Sequence, residues 1–404
     1  MSTKKIRVAM IAPPWLALPI KGYGGIELVI QALVTELQRQ DVEVVLFANG
    51  ARHLKNIKTH AIYTKELFHR IDDPYYDAPL QAMQTHLQYA LDIIEKDGTF
   101  DIIHDHNPYI GPSFFSLASR IPGLPPVLHT FHGPPFTLGN ESFNPDAPQL
   151  DNRLQLEYMN AGNLYMVCIS NAMTDQAPKQ IESHLLPAVH NALDVDKFPF
   201  VDKKDNYYIT LARFTKDKGQ HIAVKFAAKY RKRLRMAGTV AGMGSNRKLL
   251  LELSNPLSHY RKNEEFRYYS DKILQSVLRY PRITYTGNIT GQKKLRFISR
   301  AKALLFPIDW EEPFGMAVIE ALACGTPVVA MNRGAMPEII THGVNGFLAN
   351  SEAEFFEYAN RVDEIDPKAC RESVEKMFSA KQMTKTYIER YKHIIDITKK
   401  SSRS

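Results

Sequence analysis

Two glutamates at the ends of an apolar segment are the residues of this sequence most suited to chemistry. The stretch DWEEPFGMAVIEALACGTPVVA, Asp309–Ala330, carries Glu312 and Glu320 among residues that belong in a protein interior. A carboxylate is rarely buried unless it has a partner or binds a ligand. The pattern therefore predicts a ligand site, against the simpler alternative that both glutamates lie on the exposed face of an amphipathic helix.

A helix is predicted between the two glutamates. Pro313 suits the first helical position, and Gly325 followed by Pro327 ends the helix near Cys324. The first amides of such a helix have no partner within it, so they can bind a phosphate or sugar oxygen. These amides are expected at Phe314, Gly315 and Met316.

The distance between the two carboxylates limits what they can bind. Glu312 and Glu320 lie eight positions apart, or about 12 Å if the span is helical. Carboxylates that act together on one glycosidic bond lie about 5–9.5 Å apart, which excludes that pairing. The spacing matches a nucleotide-diphosphate sugar, with one glutamate on sugar hydroxyls and the other on a ribose.

Basic residues follow the strand predicted at Tyr207–Arg213. In the segment ARFTKDKG, Arg213 offers a bidentate fork and Lys218 a point charge, and together they suit a diphosphate. Lys216 competes with Lys218 for this role. A basic loop is usually just solvated, so the prediction depends on the position of this loop beside the glutamate helix.

A glycine-rich segment, KGYGGIE, follows the first predicted strand at Lys21–Glu27. Gly22, Gly24 and Gly25 permit a tight turn whose amides can face an anion, although ordinary turns use the same residues. The segment lacks Gly-x-Gly-x-x-Gly spacing directly after the strand, which argues against dinucleotide binding. A second glycine turn, AGMGSN at Ala241–Asn246, is a weak phosphate-loop signal.

Four histidines lie on two predicted strands. His104 and His106 occur in DIIHDH, and His129 and His132 occur in LHTFHG. Because alternate residues of a strand point to opposite faces, we expect each pair to share one face. The pairs permit a metal site, but local hydrogen bonding is the more usual fate of such side chains.

The elements that must position these residues alternate between strands and helices, which is typical of a parallel α/β sheet. Strands are predicted at Ile6–Pro13, 42–48, Phe100–His106, Pro126–Gly133 and Leu164–Ser170, with a loop at Phe136–Asp151. The pattern restarts after Asn191–Phe198, with strands at Tyr207–Arg213, 235–242, 282–289, 301–308 and 326–332. We therefore predict two doubly wound domains that face each other across a ligand-binding cleft.

Length and composition agree with a globular two-domain protein. The chain has 404 residues, too many for one ordinary core, with 44% apolar and 23% charged residues. Its net charge of +8 divides into −5 for residues 1–190 (14 Lys and Arg, 19 Asp and Glu) and +13 for the remainder (37 and 24). A basic second half suits a phosphorylated ligand, a nucleic acid, an anionic membrane, or simply solvated basic helices.

Two further features bear on location. The three cysteines lie far apart without metal spacing, which is typical of reduced thiols in a cytoplasmic protein; they are Cys168, Cys324 and Cys370. No segment reaches the roughly 20 apolar residues that span a bilayer, so any membrane contact is expected to be peripheral. A basic helix predicted at Lys225–Arg235 suits anionic lipid, although a solvated helix is favoured.

The segment EPFGMAVIE resembles the Glu-x7-Glu motif of the family-4 retaining glycosyltransferases, and ALACGTPVVAMNRGAMPEIITHGVNGFLA continues that family's pattern. The resemblance extends from the YGGIE loop to Asn350 and implies the GT-B fold, which has two Rossmann-like domains. It makes residues 1–190 the acceptor-side domain and residues 191–380 the nucleotide-sugar donor domain. A C-terminal helix at about 380–397 is expected to cross back onto the first domain.

The resemblance also implies a role for each motif residue. Arg213 and Lys218 stabilise the departing diphosphate, which can replace a divalent metal; Glu312 binds sugar hydroxyls, and His132 contacts the transferring sugar. The donor is bound by Gly24, Gly25, Asn288, Ile289, Phe314, Gly315, Met316 and Glu320. Glu27 and His106 lie on the acceptor side.

The predicted activity is a metal-independent, anomer-retaining transfer of a hexose from a nucleotide-diphosphate sugar to an unidentified acceptor. Overall resemblance favours UDP-glucose as the donor; the acceptor is a small molecule, a glycan or a lipid-linked sugar. Two alternatives stay open, a catalytically silent sugar-nucleotide-binding protein and a sugar-nucleotide epimerase of the same fold. Nucleic-acid binding ranks last because the sequence lacks a basic stripe interleaved with aromatic residues.

Overall fold

Both halves of the chain alternate strands with helices, because short buried runs of Val, Ile and Leu alternate with segments of helical periodicity. The structure, a computed structural model, describes residues 5–20, 24–50, 54–68, 78–108, 110–133, 136, 153–159 and 161–401. The chain divides into two units, one formed by Met1–Leu193 with Ala380–Ser404 and the other by Asp194–Ser379. The break after Leu193 lies close to the predicted boundary at residue 190.

Each unit contains one parallel sheet. The strands of the first are β1 (Arg7–Ile11), β2 (Glu43–Phe47), β3 (Lys58–His60), β4 (Ile102–Asp105), β5 (Val127–Phe131), β6 (Leu164–Cys168) and β7 (Leu185–Leu186). The strands of the second are β8 (Tyr208–Leu211), β9 (Leu234–Ala237), β10 (Ile283–Tyr285), β11 (Ala303–Phe306), β12 (Val328–Met331) and β13 (Gly346–Ala349). The sheet orders are β3-β2-β1-β4-β5-β6-β7 and β10-β9-β8-β11-β12-β13.

Helices follow most strands. They are α1 (Gly25–Arg39), α2 (Ala78–Asp97), α3 (Ile110–Ala118), α4 (Arg153–Glu157), α5 (Asn171–Thr174), α6 (Gln220–Lys229), α7 (Asn246–Ser254), α8 (Glu264–Tyr268), α9 (Gln275–Arg279), α10 (Gly291–Ser299), α11 (Met316–Ala323), α12 (Met336–Ile339), α13 (Glu352–Asn360), α14 (Pro367–Met377) and α15 (Ala380–Ser401). The central strands have almost no exposed residue, as expected for parallel strands that are covered on both faces.

The strand order determines where ligands can bind. In each sheet the first strand lies in the middle and the order of the first six strands is 3-2-1-4-5-6, the doubly wound Rossmann arrangement. Such sheets bind ligands beyond the carboxyl ends of the strands. In the first unit, the segments there carry Gly24, His106 and His132; in the second they carry Lys218 and Glu312, among others.

The C-terminal helix α15 belongs to the first unit, where it packs against α1. It runs from Ala380 to Ser401, slightly longer than the predicted helix over 380–397. Two buried tyrosines anchor it to the sheet: Tyr391 Oη lies 2.7 Å from His104 Nδ1, and Tyr387 Oη lies 3.0 Å from Thr130 Oγ1. Polar contacts thus fix the helix in position.

The prediction of a basic helix over Lys225–Arg235 is wrong. Helix α6 ends at Lys229, Arg231 adopts a left-handed φ of 53°, and β9 begins at Leu234. The cause is the alternation of buried residues in β9, which places Leu234 and Met236 in the core and turns Arg235 outward over the ring of Tyr207. The basic residues therefore do not form one helical face.

Over the ranges described above, the structure has no helix long and apolar enough to cross a bilayer. The three cysteines are all buried and unpaired, as the sequence predicts, and burial raises the pKa of each thiol to about 12. None of the thiols is therefore ionised near neutral pH.

Candidate active site

Loops after β8 and β11 bring a lysine and a glutamate into contact in the second unit. Gly219 follows Lys218 with a left-handed φ of 64°, and a Cβ there would lie 1.8 Å from the carbonyl oxygen of Pro307. Only glycine permits this approach. Lys218 Nζ lies 2.5 Å from Glu312 Oε2, with the two side chains 15% and 12% exposed. The lysine predicted to bind the diphosphate and the glutamate predicted to bind the sugar are therefore in contact. Glu312 is thus not an ordinary surface residue.

Trp310 joins this pair. Its indole Nε1–H donates to Glu312 Oε2 over 2.9 Å, the same oxygen that Lys218 contacts. The ammonium of Lys218 also lies 4.4 Å from the centroid of the indole ring, within cation–π range. Trp310 was not predicted from the sequence, although it lies two positions before Glu312 and is one of only two tryptophans in the chain.

The helix between the two glutamates begins later than predicted. Helix α11 starts at Met316, and its N-cap is Gly315 with a left-handed φ of 97°. Pro313 therefore does not open the helix, because Phe314 turns into the core against Phe378, with ring centroids 5.7 Å apart. The first helical amides belong to Met316 and Ala317, so the prediction is wrong for Phe314.

The later start of α11 also changes the distance expected between the two glutamates. Glu312 lies in the turn before α11, so a helical rise cannot be applied over the whole span from Glu312 to Glu320. Glu320 itself is only 6% exposed and accepts from Lys294 Nζ of α10 over 2.7 Å. The surface alternative is wrong for Glu320 as well. Lys294 was not predicted as a partner of Glu320, because it lies 26 positions away in the chain.

Arg213 occupies a different environment from Lys218. Its side chain is 66% exposed, and Nη1 lies 3.4 Å from Glu265 Oε1 of α8. The other oxygen of Glu265 accepts from the backbone N–H of Ala241 over 3.0 Å, in the glycine turn Ala241–Asn246. A guanidinium and a backbone amide thus meet at one carboxylate. Lys216, the rival candidate, is exposed.

The predicted base-reading segment lies beside the same glycine turn. Asn288 donates its backbone N–H to the carbonyl oxygen of Gly244 over 3.0 Å. A Cβ at Gly244 would lie 3.0 Å from the Cβ of Asn288, so the two segments are in close contact. Ile289, the other predicted residue, is half-buried. The glycine turn therefore connects this segment to Arg213, because the N–H of Ala241 in the turn donates to Glu265, the carboxylate that Arg213 contacts.

In the first unit, His106 and His132 form a hydrogen-bonded pair. His106 Nδ1 lies 2.8 Å from His132 Nε2, and His106 Nε2 lies 3.1 Å from the sulfur of Met10. A thioether cannot donate, so His106 Nε2 carries the proton and Nδ1 accepts from His132 Nε2–H. The lone pair of His132 Nδ1 is buried and has no hydrogen-bond partner among the described residues.

The other two histidines lie on opposite faces of the sheet. His104 shares a face with His106, with ring centroids 4.1 Å apart, and its Nε2 lies 2.8 Å from Thr130 Oγ1. His129 Nδ1 instead lies 2.6 Å from Asp105 Oδ2 on the other face. The expectation that His129 and His132 share a face is wrong, because three positions separate them and sides alternate every residue.

Burial keeps His106 and His132 neutral. It is the main cause that lowers the pKa of His132 to about 3 and that of His106 well below its usual value; nearby histidines add to the shift. His106 is only 1% exposed, whereas His132 is half-buried. Within the described ranges, no group of three or more His, Cys, Asp or Glu side chains is arranged to hold a metal ion.

The glycine-rich segment opens α1. Gly24 is the N-cap, and a Cβ there would lie 2.2 Å from Cδ1 of Ile20, whereas a Cβ at Gly25 would meet open space. Glu27 is buried in the first turn, and burial raises its carboxyl pKa. The predicted loop residues 21–23, and the predicted loop Phe136–Asp151 apart from Phe136, lie outside the described residues.

Comparison with known families decides the class. Residues 194–377 match the model of the glycosyl transferases group 1, and residues 23–197 match that of Glycosyltransferase Family 4. The chain is a glycosyltransferase. The first part of the chain therefore matches one domain model of these enzymes, and the second part matches the other.

Individual relatives match different shares of the chain. The glycosyltransferase is 21% identical to an uncharacterized glycosyltransferase of Methanocaldococcus jannaschii over 90% of its own length and 87% of that protein. It is 32% identical to an uncharacterized 41.2 kDa protein in the cps region of Klebsiella pneumoniae, but over only 27% of its own length. That match spans about a third, 32%, of the Klebsiella protein.

Solved structures confirm the predicted GT-B fold. Sucrose-phosphate synthase from Thermosynechococcus elongatus matches the glycosyltransferase with a TM-score of 0.70 at 18% identity, over 97% of this chain and 100% of that one. HepE of Anabaena, solved in complex with UDP-glucose, matches with a TM-score of 0.60 at 14% identity, over 96% of this chain and 100% of that one. At these identities the likeness establishes the fold alone.

Proposed function

We propose that this glycosyltransferase retains the anomeric configuration and moves a hexose from a nucleotide-diphosphate sugar to an acceptor that is not yet identified. UDP-glucose is the favoured donor. The contact between Lys218 and Glu312 carries the proposal, because it places a cation for a phosphate beside a carboxylate for sugar hydroxyls. A sugar diphosphate carries both phosphate oxygens and sugar hydroxyls, so it matches both groups.

Lys218 and Arg213 take the leaving group in this proposal. As the bond from sugar to diphosphate breaks, negative charge grows on the diphosphate, and fixed positive charges lower the energy of that state. Lys218 is largely buried, where a charge acts strongly, whereas Arg213 is exposed and can move onto its ligand. We therefore propose a reaction that needs no divalent metal.

The remaining donor contacts follow from the second unit. Glu312 and the amides of Gly315 and Met316, at the start of α11, bind sugar or phosphate oxygens. Glu320, at the far end of the sequence motif, takes the ribose hydroxyls. Asn288 and Ile289 hold the base, with Phe314 supporting the turn from the core.

The first unit supplies histidines, backbone amides and a buried carboxyl group. We assign His132 to the transferring sugar, Gly24 and Gly25 to donor oxygens, and Glu27 with His106 to the acceptor side. Gly25 supports this assignment because its Cα faces open space at the start of α1. The preference for UDP-glucose is supported by HepE, whose crystal structure contains that donor in the same fold.

Ligand-induced stabilisation tests the donor. Purified protein is heated with UDP-, GDP- and ADP-sugars in EDTA, because a ligand that binds the folded state raises the melting temperature. We expect a shift with UDP-glucose that is lost in Glu320→Ala and Arg213→Ala and kept in Lys216→Ala, a matched exposed control. No shift with any nucleotide sugar would contradict the proposal, and a shift only after adding Mg²⁺ would contradict metal independence.

Slow hydrolysis of the donor tests retention without the acceptor. Proton NMR during UDP-glucose hydrolysis distinguishes the α-glucose expected from a retaining enzyme from the β-glucose of an inverting one. Lys218→Met supplies the inactive control. If β-glucose is formed first, the retaining mechanism is excluded while donor binding stands.

A further inference from the structure

Trp310 contacts both residues that the proposed function places at the sugar diphosphate. Its N–H reaches Glu312 Oε2, and its ring face lies under the ammonium of Lys218. We propose that Trp310 is a positioning residue that holds Lys218 and Glu312 in the arrangement that receives the sugar diphosphate. This inference rests on the proposed function and adds a residue to it.

The contacts of Trp310 and Lys218 involve only one carboxylate oxygen of Glu312. Indole has a single N–H, which goes to Glu312 Oε2, and Lys218 contacts the same oxygen. Among the described residues, Glu312 Oε1 has no hydrogen-bond partner in the structure. The carboxylate is therefore held by one oxygen and presents the other, which can accept from a sugar hydroxyl.

Lys218 is held in a similar way. An ammonium has three N–H groups; one points to Glu312, and the indole face attracts the charge without accepting a conventional hydrogen bond. The ammonium thus keeps N–H donors for a phosphate oxygen while it stays beside Glu312. One donor and one acceptor side by side match a phosphate and the hydroxyl of the sugar attached to it.

The position of Trp310 argues against a purely structural role. Its side chain is half-buried, whereas nearby Phe314 is 2% exposed and forms part of the core. Trp15, the other tryptophan, is 6% exposed in the first unit. Replacement of Trp310 should therefore perturb its two polar neighbours more than the stability of the fold, and Trp15 supplies the contrasting case.

Two replacements separate the N–H from the ring. Trp310→Phe keeps an aromatic face for Lys218 and removes the donor to Glu312, so UDP-glucose affinity should fall roughly tenfold while UDP affinity changes less than about twofold. Trp310→Leu removes both contacts and should weaken UDP as well. Calorimetric titration of UDP and UDP-glucose gives the ratio, with Trp15→Phe as the control that leaves both affinities unchanged.

Tryptophan emission tests the contact without any ligand. In the Trp15→Phe variant, Trp310 is the single tryptophan, and adding Lys218→Met or Glu312→Gln should shift its emission. Unchanged emission, or equal losses of UDP and UDP-glucose affinity in Trp310→Phe, would overturn the positioning role alone. Wild-type protein that binds neither UDP nor UDP-glucose, with the emission shift intact, would instead overturn the proposed function.

Discussion

The polar groups at the strand ends of the two units differ in kind. In the first unit they include a network of histidines, tyrosines and a threonine that hydrogen-bond to one another, with the His129–Asp105 pair on the opposite face of the sheet. In the second they are lysines and glutamates, joined as Lys218–Glu312 and Lys294–Glu320. Both sheets have the same strand order, so the difference arises from side chains and not from topology.

This contrast shows what each unit can contribute to glycosyl transfer. A neutral hydrogen-bonded group can orient a sugar but does little for a leaving diphosphate. A fixed charge can stabilise that leaving group, provided that a partner such as Glu312 keeps it in place when no ligand is bound. The comparison therefore predicts large effects from charges in the second unit and small ones from histidines in the first.

Removal of the Lys218 charge should have the largest effect. Lys218→Met keeps the length of the side chain but takes away the cation, and turnover of UDP-glucose should fall by about 10²–10³-fold, the usual loss for one electrostatic contact in a transition state. The measurement is the rate of UDP release. Lys216→Met, an exposed lysine two positions earlier, should retain activity within about twofold. Equal losses in both variants would mean that net charge matters and position does not.

Acid should unfold the first unit before the second. Burial is the largest cause that lowers the pKa of His132 to about 3 and of His86 to about 4, and that holds His104 and His106 well below their usual value. Unfolded histidine titrates near pH 6.5, so below that pH the unfolded chain takes up protons that the folded chain cannot. Stability is thus complete above about pH 6.5 and is lost as pH falls, by up to ~1.4 kcal/mol per pH unit for each group.

The two tryptophans report the units separately. Trp15 lies in the first unit and Trp310 in the second, so single-tryptophan variants followed from pH 7 to pH 4 should show the transition of Trp15 at the higher pH. Among the described histidines of the second unit, only His221 has a pKa that burial lowers, against several in the first unit. Lys204, whose pKa burial lowers to about 8, is protonated in both states over this range and does not contribute. His86→Gln, which keeps a donor for the carbonyl of Ala12 but cannot titrate there, should lower the midpoint for Trp15. Coincident transitions would contradict the contrast between the units.

Local patterns in the sequence predicted the sheets well. Buried runs such as those of β1, β5 and β11 can be recognised from a few consecutive residues, and the restart of the pattern indicated two sheets. Helix α11 was recognised for the same reason, but its start was not. Pro313 favours a helix start, yet the left-handed Gly315 and the burial of Phe314 decide the start three positions later.

The partners of the site residues were not predictable from spacing. Lys294 contacts Glu320 from 26 positions away, and Glu265 contacts Arg213 from 52 positions away. Such contacts depend on how strands and helices are ordered, and one sequence contains no local signal for them. Trp310 differs because it lies two positions from Glu312; its contacts depend on how the turn before α11 folds.

The smallest effect is expected for the His106–His132 pair. Because Met10 cannot donate, His106 accepts from His132 Nε2–H, and the buried Nδ1 of His132, which has no partner among the described residues, is the acceptor that we assign to a sugar hydroxyl. Asn can present an amide oxygen close to the position of Nδ1, so His106→Asn should preserve this tautomer, whereas His106→Leu should not. UDP-glucose affinity should fall roughly twofold to tenfold in His106→Leu, the range of one neutral hydrogen bond.

Selective ¹⁵N-histidine labelling makes this last prediction independent of activity, because the two ring nitrogens of a neutral histidine have well-separated chemical shifts. Wild type and His106→Asn should show protonated Nε2 on His132, and His106→Leu should show a mixture of tautomers. Tyr391→Phe is the matched control, since it removes a hydroxyl from His104 on the same face without touching His132. A protonated Nδ1 in the wild-type protein would reverse the direction of the hydrogen bond and make His132 a donor to its ligand. The neutral groups of the first unit would then select oxygen acceptors of the substrate, not its hydroxyl hydrogens.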